Sequence, residues 1–299
     1  MDHQKNKNAL NIMIKGSCDV LHIQSYLVHC AHLDAEVAYV SEKGFRTDCA
    51  HTELLKRCTQ STIKNYGAII DKLPFYDRSA FRTNFFSSNY HIHIYSVLDD
   101  YTKGLYRYRN TDFVIPLGYC RSNLTDLSTW DYHAHCSQKQ RLGKEFLRWF
   151  KDNFTFLGPL DVDSFKKNML WMCSNINTDK LLIILNGSEA GHPRNSEEDC
   201  GKHHRAMNQC LQDAVKKMPH VVICDVRELI SSSADHPYTI PHYARKVYFQ
   251  IAQRINEIIQ ERFCVRSSFW ITQLLFLKYC LSFFRGKRLK RTMRIYSQL

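Results

Sequence analysis

The chain has 299 residues, a formal net charge of +12 and a hydrophobic fraction of 44%. That length holds one large domain or two small ones around a substantial core, and the balance of apolar and charged residues excludes wholesale disorder. The charge is localised: residues 262–299 carry nine Lys or Arg and no acid, leaving +3 for residues 1–261, so the body lacks the basic face of a nucleic-acid-binding domain and no nucleic-acid partner is expected.

The polar start "MDHQKNKNAL" and the short apolar run after it do not form a signal peptide. Twelve cysteines without that signal, none spaced C-x-x-C, point to a reducing compartment and away from a disulfide scaffold or zinc ribbon. A cytoplasmic location is the expectation.

In chain order, Asn11–Lys15 reads as a short buried strand, broken at Gly16. From Val20 onward, Leu21, Tyr26, Leu27 and Cys30 return at helical spacing. Ser17 and Cys18 therefore stand on a strand-to-helix turn, where free N–H groups can bind an oxyanion or lower a thiol pKa. Further strands are predicted over 35–42, 89–100, 179–189 and 220–228. The last two are continuous apolar runs, as in parallel strands covered on both faces. Helices are predicted over 144–154, 164–176, 196–218 and 241–263. This alternation predicts a three-layer α/β/α domain with a parallel sheet, whose ligand site lies at the carboxyl ends of the strands. Residues 101–160 read as an irregular, aromatic-rich insertion or cap.

Residues 269–284, "FWITQLLFLKYCLSFF", are followed by "RGKRLKRTMR" with six basic residues. Sixteen helical residues span about 24 Å, short of a bilayer core of about 30 Å. A basic amphipathic helix lying on an anionic membrane surface is the expectation for 264–299, with a helix packed on the body as the alternative.

An acid, a base and a nucleophile are available from two loops at the carboxyl edge of one sheet. Ser17 or Cys18 follows the first strand. His242, with Asp235 and His236 near it, enters the last helix. Asn186, Asp99 and Asp100 stand at the carboxyl ends of other strands, where the ligand site of an open α/β sheet lies. "CGKHHRAMNQC" (200–210) and "HAHC" (133–136) lack metal-ligand spacing, so no metal site is expected. "YTKGLYRYRN" (101–110) interleaves aromatics and cations that suit a sugar or a phosphate.

The two end stretches together resemble the SGNH/GDSL hydrolase superfamily. His242 stands nine residues before Ile251-Ala252, and Gly16-Ser17-Cys18 takes the place of Gly-Asp-Ser. The nearer likeness is to SGNH-like proteins of bacterial capsule and surface-polysaccharide clusters with Gly-Ser-Cys or Gly-Asn-Cys turns. "DDYTKGLYRYRNTDFVIPLGYC", "LIILNGSE" and "HYARKVYFQIA" look like that group, and the likeness covers residues 9–262. The resemblance implies a flavodoxin-like SGNH domain over 1–262 and a tail over 263–299. It also implies acyl transfer or ester hydrolysis on a surface-polysaccharide sugar, with Cys18 or Ser17 as nucleophile, His242 as base, Asp235 orienting it, and Gly16 and Asn186 near the oxyanion. The superfamily's acid position, three residues before the histidine, is Thr239 here. No bound cofactor is implied. Acetyl-CoA is the acyl donor that suits transfer, with a carbohydrate or lipid-linked sugar as acceptor. The alternatives are a catalytically lapsed fold that binds a glycan or protein partner, and a glycosyltransferase.

Overall fold

The computed structural model describes residues 10–28, 30–37, 39–47, 50–118, 123–130, 142–190, 197–230, 235 and 243–264. His242 and residues 265–299 lie outside this set, and so does the side chain of Cys18.

The first strand, β1 (Leu10–Lys15), ends at a glycine that the packing requires. A Cβ at Gly16 would lie 2.4 Å from Val20 and 3.2 Å from the Ser96 Cβ. Helix α1 (Cys18–Leu21) is a single turn, followed by a 3-10 turn at Gln24–Tyr26, and β2 (Cys30–Glu36) begins where the spacing predicts continued helix. The physical reason is occupancy: the last helix covers this side of the sheet. Its Asn256 accepts from the Val28 N–H at 3.0 Å and donates to the Tyr26 carbonyl at 3.0 Å. Phe249 stands edge-on to Tyr26 at 5.4 Å.

A two-stranded ribbon, β3 (Tyr39–Val40) and β4 (Arg46–Thr47), takes the end of the strand predicted at 35–42. It leads into α2 (Thr52–Lys56), α3 (Gln60–Ile70), β5 (Ile92–Ser96) and α4 (Leu98–Thr102).

Among the described residues the middle of the chain is regular, contrary to the expectation for 101–160. Strands β6 (Gly104–Tyr108) and β7 (Val114–Leu117), helix α5 (Lys144–Asn153) and strand β8 (Phe154–Pro159) build an antiparallel sheet in the order β7-β6-β8. The aromatic residues that suggested a binding surface are its core. Tyr106, Phe113, Phe150 and Phe154 pack with Leu54 and Ile70 from α2 and α3.

The chain then alternates regularly through α6 (Val162–Ser174), β9 (Leu181–Leu185), α7 (Glu197–Val215), β10 (Val221–Cys224) and α8 (Arg245–Phe263). The main sheet has the order β2-β1-β5-β9-β10, and all its strand pairs are parallel. On one face Ile12, Ile14, Ile94 and Ile183 meet Val247, Ile251 and Ile255 of α8. On the other, Met13, Tyr95, Leu182 and Ile184 meet Phe165 and Met169 of α6 and Met207 and Leu211 of α7. This is the three-layer α/β/α arrangement predicted from the alternating pattern, and its double coverage explains why β9 is apolar at every position.

Counted among themselves in chain order, the five strands run 2-1-3-4-5 across the sheet. The connections leave β1 in one direction and β5 in the other. In such sheets the carboxyl ends flanking that reversal form the ligand crevice. Among the described residues, no helix is long and apolar enough to cross a membrane.

Candidate functional site at the β1/β5 switch point

The Gly16-Ser17-Cys18 turn sits at this reversal. Ser17 is 1% exposed, and its Oγ donates to one carboxylate oxygen of Asp19 at 3.1 Å. The hydroxyl of Ser96, the last residue of β5, donates to the other oxygen. Ser96 Oγ in turn accepts the Leu98 N–H at 3.2 Å. One buried carboxylate thus ties the turn after β1 to the end of β5. Ser96 shares a sheet face with Ile92 and Ile94 by the two-residue alternation of a strand, which places the tie on the α8 side.

Tyr243, just ahead of α8, closes the same side. It is 4% exposed, and burial first, then the negative charge of Asp19, push its phenol well above the ordinary range. The Asp235 carbonyl accepts the Ala244 N–H at 2.7 Å, which anchors that loop at the entry to α8.

Ser17 is therefore a strut of the turn and not an open hydroxyl. Cys18 opens α1, a helix of a single turn. Asp19 and Ser96 were missed in the sequence. The one available signal was an acid in the first turn after a strand, and it reads as ordinary helix patterning.

The candidates from the other strands lie elsewhere. Asn186 follows β9, two strands from the β1 turn. Its amide donates to Asp225 at 2.7 Å and its oxygen accepts the Val226 N–H at 2.8 Å. It links the ends of β9 and β10. Burial works against the charge of Asp225, but hydrogen bonds from Arg227 and Asn186 hold its carboxyl below the usual range. Arg227 also reaches Glu189 at 3.1 Å.

Asp99 and Asp100 are 2% and 0% exposed. Asp99 accepts the Ala50 N–H at 3.2 Å and lies 3.9 Å from the Lys103 ammonium. Asp100 accepts the Thr52 N–H at 3.0 Å and contacts the Tyr95 hydroxyl at 2.8 Å. Both carboxyls are sealed against the segment leading into α2.

Within 101–110, Lys103 is buried beside the tyrosines, whereas Arg107 and Arg109 are exposed. Tyr101 and Tyr106 are buried, and Arg109 donates to Asn153 at 2.7 Å. In α7, His204 bonds through Nδ1 to the Ser188 carbonyl at 2.6 Å. No group of three metal-ligating side chains gathers among the described residues. A groove of about 730 Å³ lies away from the crevice, where the end of α7 and the start of β10 line it with Gln212, Lys216, Pro219 and Val221. No protein-family model and no curated protein matches the chain in sequence.

Proposed function

We propose that the chain is an SGNH-type acyltransferase or esterase acting on a surface-polysaccharide sugar, with Cys18 as its nucleophile. One observation supports this reading above the rest. The Gly-Ser-Cys turn stands at the carboxyl end of β1, at the switch point of a parallel 2-1-3-4-5 sheet. Within that turn Ser17 is buried and bonded to Asp19, which leaves the adjacent thiol to attack.

In this scheme the Cys18 thiolate adds to an ester or thioester carbonyl and expels the first leaving group, giving an acyl-cysteine. His242 takes the thiol proton and returns one to the leaving group. It then deprotonates a sugar hydroxyl or a water, which attacks the acyl-cysteine and regenerates the thiol. Acetyl-CoA suits the donor role. The basic segment 264–299 suits a protein that meets lipid-linked sugar at an anionic membrane surface, with the remainder in the cytoplasm.

The test is iodoacetamide labelling of the purified protein at neutral pH, with the site located by mass spectrometry. Labelling at Cys18 ahead of the other cysteines, lost in His242→Ala, supports the reading. Even labelling across all cysteines removes it.

A second reading, a lapsed SGNH fold that binds a glycan or a partner, is favoured by a different observation. Asn186, Asp99 and Asp100 are all bonded within the fold away from the Gly-Ser-Cys turn. Calorimetric binding of a polysaccharide fragment without turnover supports that alternative.

A further inference from the structure

Beneath the crevice, on the α6/α7 side of the sheet, a second polar group lies entirely inside the protein. Its hydrogen bonds can be counted. Asp100 Oδ1 accepts both the backbone N–H and the hydroxyl of Thr52. Its Oδ2 lies 2.8 Å from the Tyr95 hydroxyl, and that same hydroxyl contacts the carbonyl of Ala50. A phenol carries a single proton, and a backbone carbonyl only accepts. Tyr95 therefore donates to Ala50, and its contact with Asp100 needs a proton on the carboxyl. With that proton in place, every one of these buried contacts is satisfied. Without it, either Ala50 or Asp100 loses its partner inside the fold.

We propose that Asp100 is a neutral carboxylic acid in the folded protein, and that its ionisation draws the Tyr95 proton away from the Ala50 carbonyl and frees that carbonyl from the carboxyl end of β5.

The charged neighbours support this. His51 Nδ1 lies 3.4 Å from Asp100 Oδ1 but accepts the Glu53 N–H at 3.0 Å. Burial, with Lys103 and Lys56 nearby, holds His51 down at about 3, so it brings no positive charge. On α4, Lys103 lies 3.9 Å from Asp99. On α2, Lys56 is bonded to Glu53 and to Asn168 of α6, and Glu53 adds a repelling negative charge. Asn168 donates to the Thr52 hydroxyl at 3.0 Å. Burial raises the Asp100 carboxyl to about 7 despite the bonds donated by Thr52.

The direction of the pH effect follows. Between the ordinary carboxylate range and about 7, the folded chain holds a proton that the unfolded chain has released, so stability falls as pH rises through that window and levels off above it.

The experiment compares the full chain with Asp100→Asn, whose amide donates to Tyr95 as the protonated acid does. Between pH 5 and pH 8 the melting temperature of the wild type is expected to fall by about 5 °C more than that of the variant. Equal pH dependence in the two proteins overturns the proposal. If the variant fails to fold, infrared spectra of wild type carrying isotope-labelled aspartate decide. A protonated-carboxyl band at pH 6 that disappears by pH 8 supports the proposal, and its absence at pH 6 overturns it.

Discussion

Two aspartates bond to the carboxyl end of β5, Asp19 to Ser96 and Asp100 to Tyr95, and are used in opposite ways. Asp19 lies on the α8 face and accepts from two hydroxyls, Ser17 and Ser96. Asp100 lies on the α6/α7 face, where the Tyr95–Ala50 contact requires a proton on its carboxyl. The alternation of β5 sorts them: Ser96 points to one face and Tyr95 to the other. Identical side chains thus become an acceptor at the crevice and a sealed acid behind it. The difference lies in the Tyr95–Ala50 contact, which commits the phenol proton elsewhere and leaves the second oxygen of Asp100 to donate.

The largest expected contrast concerns activity. Cys18→Ala is expected to abolish acyl turnover, by at least ~10³-fold, with little change in melting temperature, whereas Asp100→Ala leaves the thiol in place. Progress curves with an activated acyl ester, read beside thermal melts, check both halves.

Stability separates the sites next. Asp100→Ala strands the Thr52 N–H and the Thr52 hydroxyl proton in the interior, and a loss of about 3 kcal/mol is expected from urea unfolding at pH 6. The isosteric amides sharpen the comparison. Asp19→Asn turns a donor toward one of two hydroxyls that already donate, and is expected to cost about 1 kcal/mol. Asp100→Asn reproduces the neutral acid and is expected to cost less than that at pH 6. Equal costs for the two amides would show that the sites do not differ in this way.

The smallest effect probes the layer beside Asp19. Asn256→Ala removes two bonds to the β1–β2 connection and is expected to lower stability by about 1–2 kcal/mol. Hydrogen exchange at Val28 should rise with it, while exchange at Thr52 stays unchanged.

Much of this arrangement was legible in the residues. The apolar run "LLIIL" ending at Asn186 predicts a strand buried on both faces, and β9 is one. Val247, Ile251, Ile255, Ile258 and Ile259 predict one face of a long helix, and α8 presents it to the sheet. Gly16 predicts a break after the first strand, and the close approach of Val20 and Ser96 explains why no larger residue fits. These features depend on neighbours close in sequence, so periodicity and turn chemistry suffice.

The remainder depended on contacts between distant segments. The helix predicted from Val20 to Cys30 is one turn long because α8, more than two hundred residues later, fills the space beside it. The aromatic stretch 101–160 forms an antiparallel sheet because its rings pack on α2 and α3. Periodicity alone does not distinguish an inward ring from a ligand platform. Sequence by itself determined the α/β alternation, the position of the Gly-Ser-Cys turn and the concentration of charge beyond residue 261. Only the tertiary structure decided that Ser17 is a buried strut, that Asn186 ties two strand ends, and that Asp100 meets Tyr95 and Thr52. Hydrogen-bond partners are chosen in space, and a carboxyl has no role until its donors are in place.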